Sequence, residues 1–192
     1  MGIDTILVKH NLTLLEHVEQ KWNDLLKAKN QNPFPNVRMR YCTSNHKRLP
    51  ISKYISKQHP SNENSKILIC TGERWEESSR RSKYDYWTYY VCSTSKRKVY
   101  NWRPMLAFET VDVWSEINNT KMDFHEAYKH GCDRLGCVVC IFHGECGHGL
   151  KDAQINCKNN QELYEKLDKL EQDTKFTISV SRRFIRDLIK LK

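Results

Sequence analysis

Apolar positions change their spacing several times along the chain, and each change predicts an element. Residues 3–8, Ile-Asp-Thr-Ile-Leu-Val, predict a short strand. Leu12, Leu15, Val18, Trp22, Leu25 and Leu26 then fall at helical spacing, with Thr13 and Glu16 placed as a capping box. Asn32 to Asn36 must be loop, because Pro33 and Pro35 interrupt it. A helix is predicted over 49–57 and a polar turn over 60–65. Ile67 to Thr71 is short and nearly all apolar, which predicts a strand buried on both faces. A charged helical stretch follows over 73–83, then a poorly patterned run of Tyr, Thr and Ser over 84–101. Val111, Trp114 and Ile117 mark another helix, capped by Thr110. Two C-terminal helices carry Leu163, Leu167 and Leu170, then Phe184, Ile185, Leu188 and Ile189. Strand–helix alternation of this kind predicts an α/β domain: a mainly parallel sheet flanked by helices. Two clear strands are few for such a sheet.

Composition narrows the class. At 39% hydrophobic and 29% charged residues the chain should be globular rather than disordered. No apolar run approaches the roughly 20 residues of a membrane span, and no signal pattern opens the sequence, so no membrane partner and a cytoplasmic location are expected. In that compartment the eight cysteines would be reduced, which favours metal or redox chemistry over disulfides. Lys and Arg total 32 against 23 Asp and Glu, and the net charge of +9 suits an anionic partner, nucleotide or nucleic acid, or else serves solubility alone.

Four cysteines crowd one run: Cys132, Cys137, Cys140 and Cys146, spaced C-x4-C-x2-C-x5-C. Thiolates are the soft ligands of iron–sulfur clusters and of structural zinc. The second, distant C-x2-C of most zinc motifs is missing, which favours a [4Fe–4S] cluster on these four, with zinc as the alternative. Thr71-Gly-Glu-Arg-Trp-Glu-Glu-Ser-Ser-Arg-Arg-Ser82 follows the strand at 67–71. Its arginines can grip phosphate or sulfate, or can pair with the glutamates on a solvated helix face. Cys42 lies among Arg38, Arg40, Lys47 and Arg48, which makes it a candidate fifth ligand, a reactive thiol or an inert one. Arg103 precedes a proline-fixed turn and is well placed for an anion. His125, His143 and His148 flank the cysteines and read as ordinary histidines; Cys70, Cys92 and Cys157 read as small apolar residues.

Four segments in order, YCTSNHKRLPISKYI, ICTGERWEESSRRS, NWRPMLAFETVDVW and FHEAYKHGCDRLGCVVC, resemble the phosphoadenosine phosphosulfate (PAPS) reductase family, a branch of the adenine nucleotide α-hydrolases. The resemblance covers most of residues 1–145. It implies an adenine nucleotide, ATP or an adenylyl sulfate, near Gly72, Glu73, Arg74, Ser78 and Arg81, with Arg103 facing the same cleft. The family's Ser-Gly-Gly-x-Asp-Ser loop has no counterpart in this sequence. The resemblance therefore implies an N-terminally incomplete fold starting near the third family strand. The loop would sit on a partner polypeptide, or the chain would be a remnant, and activity alone is not expected. Residues 1–130 would be the partial nucleotide-binding part, 131–158 a cysteine-rich metal segment and 159–192 C-terminal helices.

Two further likenesses divide the functional expectation. Glu145-Cys146-Gly147-His148 is similar to the catalytic-cysteine tail of sulfonucleotide reductases, where Cys146 or Cys42 would be catalytic and sulfite the product. The C-x2-C-x5-C spacing resembles the cluster motif of the DNA phosphorothioation sulfurtransferase subunit, which handles nucleic acid. The basic charge fits that second likeness, with Arg38, Arg40, Lys47, Arg48, Arg182, Arg183 and Arg186 as phosphate contacts. The expectation is an iron–sulfur component of a nucleotide-dependent sulfur-transfer enzyme. The alternatives are a sulfite-producing reductase and a non-enzymatic, metal-stapled binding module.

Overall fold

The computed structural model describes residues 4–132, 135–142 and 148–189, without the side chains of Leu25 and His148. Its elements run α1 Leu14–Lys21, α2 Tyr41–Thr43, α3 Leu49–Gln58, β1 Ser65–Cys70, β2 Trp87–Tyr89, β3 Arg97–Trp102, α4 Thr110–Thr120, α5 Glu126–Lys129, α6 His148–Asn159, α7 Gln161–Thr174 and α8 Ile185–Ile189. Two π turns, Trp22–Leu26 and Ser44–Arg48, continue α1 and α2. The chain folds as two compact units, each drawn from separated segments. The first takes residues up to Val8 with Leu49–Phe124; the second takes Lys9–Arg48 with the segment from His125 onward.

In the first unit the sheet order is β1-β3-β2. β1 and β3 pair in parallel from Ser65 opposite Arg97 to Cys70 opposite Trp102, and β2 pairs with β3 antiparallel. The α/β class stands, but the sheet is mixed. β1 also differs from expectation. Its residues alternate in burial, and Leu68 is 51% exposed, so it is not buried on both faces. The run at 84–101 hides β2 and β3. Their rings stack across the pair, Trp87 on Trp102 at 5.4 Å and Tyr89 on Tyr100 at 5.2 Å. Inward along β3 lie Arg97, Val99 and Asn101. The buried Arg97 is satisfied by the carbonyls of His59 (2.6 Å) and Cys92 (2.8 and 3.1 Å). Buried donors need such acceptors, which is why a guanidinium can sit there.

Three local expectations are corrected in this unit. Residues 4–8 form no strand; Ile6 and Leu7 are 60% and 84% exposed, and an apolar run becomes a strand only where a neighbour takes its backbone bonds. The stretch 73–83 is not a helix but two 3-10 turns, Trp75–Glu77 and Arg81–Lys83, because the extended backbone of Ser78 breaks the run between them. The cap of α4 is Glu109, whose backbone N–H is held by Asp112 at 2.8 Å; Thr110 is the first helical residue.

The second unit is helical. Thr13 and Glu16 close the predicted capping box on α1, whose Leu15 and Val18 are buried. They pack in one core with Phe34, Val139, Ile141, Tyr164, Leu167, Ile185 and Leu188. Each such side chain contributes about 1.5–3 kcal/mol by leaving water. The Tyr164 hydroxyl donates to the Val138 carbonyl at 2.7 Å, which ties the cysteine segment to α7. Glu171 on α7 is fully buried and accepts from the N–H groups of Ile178 (2.8 Å) and Ile185 (2.7 Å). It thereby satisfies donors ahead of and within α8.

Candidate functional site

In the first unit the residues expected at the nucleotide gather past the carboxyl end of β1. The strand ends at Cys70, and Thr71 N–H still bonds the Trp102 carbonyl at 2.9 Å, so the chain leaves the sheet only at Gly72. Gly72 is exposed, and the space its side chain would fill is open within 4 Å. Beyond it three glutamates pair with three arginines. Arg103 Nε donates to Glu73 at 2.6 Å, Arg74 Nη1 to Glu76 at 2.6 Å, and Arg81 to Glu77. The Thr110 hydroxyl, then Arg74, hold the Glu76 carboxyl below its usual range. Ser78 caps the second turn, its hydroxyl accepting from the Arg81 N–H at 3.3 Å.

Arg103 is the best anchored of the six. It is 8% exposed, bonds the Asp85 carbonyl at 2.9 Å and the Thr88 hydroxyl at 3.1 Å, and lies over the Tyr84 ring at 4.7 Å. Its guanidinium organises the loop between β1 and β2, while Arg74 and Arg81 sit nearer solvent with their remaining N–H groups. The arginines share one place and each is paired with a glutamate, as the second of the two sequence readings expects, but on short turns and not on a helix face. Lysine cannot make this fork or lie over the ring in the same way. Arg103→Lys should lower unfolding free energy by about 1–3 kcal/mol in urea melts, while an Arg81→Lys exchange at the more exposed pair costs under about 1 kcal/mol.

In the second unit Cys42, Cys137 and Cys140 share one neighbourhood. Burial, then the adjacent Cys137 and Cys42, raise the Cys140 thiol above its ordinary value, against a backbone bond from Phe142 and the charge of Lys47. Lys47 Nζ donates to Cys137 Sγ at 2.9 Å. The buried Tyr164 phenol is raised first by burial, then by Cys157, Cys140 and Cys132. Cys132 is buried just beyond α5, its N–H on the Ala127 carbonyl at 3.0 Å. Cys146 and His143 lie outside the described residues. His125 caps α5 by accepting from the Ala127 N–H at 3.1 Å.

The donor set bears on what it could hold. Zn–S bonds of about 2.3 Å put tetrahedral sulfurs about 3.8 Å apart. Among the described residues no three cysteine sulfurs lie within 4.8 Å of one another. A multi-iron cluster spreads its thiolates wider than one ion does, so the spacing of the described cysteines is not that of a preformed zinc site.

Of the basic residues expected on a nucleic-acid face, Arg38, Arg40, Lys47, Arg48, Arg182, Arg183 and Arg186 are all exposed. Arg186 is held by Asp168 through bonds of 2.7 and 2.5 Å, and Arg40 lies over the Phe142 ring at 5.3 Å. Sequence reasoning missed one group altogether. His10, His17 and His46 bring their ring nitrogens within 4.8 Å of one another. They are separated by 6 and 28 residues, so no local spacing marks them.

Comparison with known proteins places the chain. The family model described as the phosphoadenosine phosphosulfate reductase domain matches residues 3–142. An uncharacterized protein of Methanocaldococcus jannaschii is 30% identical over 122 residues, covering 60% of this chain. The matched part is 28% of that relative's length. No solved structure matches.

Proposed function

Because the chain belongs to the phosphoadenosine phosphosulfate reductase domain family, we propose that it is the iron–sulfur component of a nucleotide-dependent sulfur-transfer enzyme acting on nucleic acid. The observation that carries the proposal is the gathering of soft donors beside Lys47 in a chain of net charge +9. A small anionic substrate does not call for so basic a chain. Cys132, Cys137, Cys140 and Cys146 hold the cluster, with Cys42 as the alternative ligand. When bound, the cluster supplies soft iron sites for sulfur.

The chain's own residues bind and orient. Gly72 leaves room for the adenine nucleotide, and Arg74 and Arg81 offer it their outer N–H groups. Arg103 and Glu73 hold the loop that presents them. A partner polypeptide supplies the Ser-Gly-Gly-x-Asp-Ser loop for the triphosphate. Adenylylation makes an acceptor oxygen a leaving group. Sulfide-level sulfur, supplied by a donor and relayed through the cluster or a thiol, then forms the new bond with its electron pair as that oxygen departs with AMP, so no electrons change hands. Exposed Arg38, Arg48, Arg182 and Arg183 hold the phosphate backbone.

The rival is a reductase in which a thiolate attacks adenylyl sulfate and sulfite is released. The Glu145-Cys146-Gly147-His148 run favours it. Titrating labelled duplex DNA and RNA at stepped salt separates the two. The expected result is binding whose log affinity falls against log salt by about 0.9 per phosphate contact on duplex DNA, with several contacts. Sulfite formation from adenylyl sulfate and a thiol donor, without salt-sensitive nucleic-acid binding, overturns the proposal.

A further inference from the structure

Three imidazoles from three separate segments meet in the second unit. His10 lies ahead of α1, His17 sits on α1, and His46 sits in the π turn Ser44–Arg48. His17 Nδ1 and His46 Nε2 are 2.9 Å apart. The His10 ring stacks on His17 at 5.4 Å and tilts against His46 at 4.4 Å. All three rings are half-buried, and the ligand-atom group contains no carboxylate. We propose that His10, His17 and His46 form a site for a divalent cation of borderline softness, Zn2+ in first place, distinct from the cysteine segment.

The chemistry of the donor set selects that class. Imidazole nitrogen suits zinc and its first-row neighbours, whereas calcium and magnesium take oxygen. Three protein ligands leave a tetrahedral ion one position for water. Ring nitrogens on one zinc, each about 2.0–2.1 Å from it, lie about 3.4 Å apart. The closest pair is already at 2.9 Å, and no pair of ligand atoms exceeds 4.8 Å, so small ring movements bring the set to that spacing.

Two of the rings are already held. His10 Nδ1 is 3.1 Å from both the N–H and the carbonyl of Leu12. It can accept from the first, or carry a proton and donate to the second. The second arrangement frees Nε2 for a metal at no loss of a hydrogen bond, which is how outer contacts commonly fix a ligating histidine. The His17 ring packs on Tyr41 at 5.0 Å, and the Tyr41 hydroxyl is anchored on the Pro33 carbonyl at 2.5 Å. Burial first, then the neighbouring His10, hold His17 and His46 below the ordinary imidazole range. The hydrogen between His17 and His46 moves to an outer nitrogen of one ring when both lone pairs turn to the ion. The π turn matters because it shifts the following side chains round the helix, and such turns recur at functional sites.

Cobalt distinguishes this site from a sulfur site, because thiolate ligands add a strong near-ultraviolet charge-transfer band and imidazoles do not. The full chain, stripped with a chelator, is titrated with Co2+ and then Zn2+. In the Cys137→Ser, Cys140→Ser background, which removes the sulfur site, the expected result is one equivalent of cobalt with visible d–d bands, no thiolate band and displacement by zinc. His17→Ala and His46→Ala should weaken that binding by more than the ~10–100-fold that loss of an outer contact costs, while His59→Ala leaves it unchanged. His10→Ala, altered ahead of α1, gives the same reading should the helix variants fail to fold. Cobalt bound only with the thiolate band, or binding that survives His10→Ala, overturns the site. Iron at the cysteines is read separately by its acid-labile sulfide, so either site can fail without the other.

Discussion

Cys137→Ser and Cys140→Ser, each made in the full chain and purified without oxygen, should strip the protein of iron and acid-labile sulfide and abolish its broad visible absorption. The expected effect is nearly all-or-none, since a cluster is held by its thiolates and a serine oxygen is a poor substitute for a soft ligand. Cys137 is held beside Lys47 at 2.9 Å and Cys140 is half-buried near Cys137 and Cys42, and serine keeps the size of either side chain, so the substitution removes the sulfur and little else. The fourth ligand is read from a second pair. If Cys132 ligates, Cys132→Ser loses iron and Cys42→Ser keeps it; the reverse result assigns Cys42. Stoichiometric zinc without iron in the unaltered chain, lost in Cys137→Ser and Cys140→Ser, would replace the cluster with a structural site.

Glu171→Ala should lower unfolding free energy by about 3–5 kcal/mol, a large share of the ~5–15 kcal/mol typical of a folded chain. The substitution leaves the N–H groups of Ile178 and Ile185 buried without an acceptor. Burial pushes the Glu171 carboxyl up to about 7 from 4.5, against the two backbone bonds that favour its charge. Its folded pKa is raised, so the folded state holds the proton more tightly than the unfolded one. The stability from this group is complete below about pH 4.5 and is lost as pH rises through about 7, to the extent of about 3 kcal/mol. Urea melts at pH 5 and pH 8 should show that loss in the unaltered chain relative to Glu171→Gln, in which no group titrates at 171. A parallel pH dependence in the two would remove the linkage.

The helices were legible wherever one face was apolar and one end carried a cap. α1, with Leu15 and Val18 inward and Thr13 and Glu16 at its start, is the clearest. β3 was hidden because two of its three inward residues, Arg97 and Asn101, are polar. The carbonyls that make Arg97 tolerable there come from residues 59 and 92 and cannot be seen in its own segment. The 73–83 segment misled for the opposite reason. Its Glu and Arg spacing is helical, yet the extended backbone of Ser78 breaks the run into two short turns instead. Gly72, Glu73, Arg74, Ser78 and Arg81 were legible as a group, because they follow one strand. The histidines were not, since their meeting depends on how α1 packs near the π turn. The family match over 3–142 supports the order of segments without speaking to either metal.

The division into two units has a consequence for synthesis. Neither unit is a continuous stretch of chain, because each is interrupted by the other. Leu15 and Val18 of α1 share a core with Tyr164 and Leu167 of α7, about 140 residues further along. A ribosome adding ~5–20 residues per second delivers those partners on the order of 7–30 s later. Throughout that interval the apolar stripe of α1 lacks its α7 partners, and the second unit cannot close before α7 has left the exit tunnel. Expression of the N-terminal half alone would leave that stripe without its α7 partners, so loss of folding on division is the outcome expected from the order in which the core residues are made.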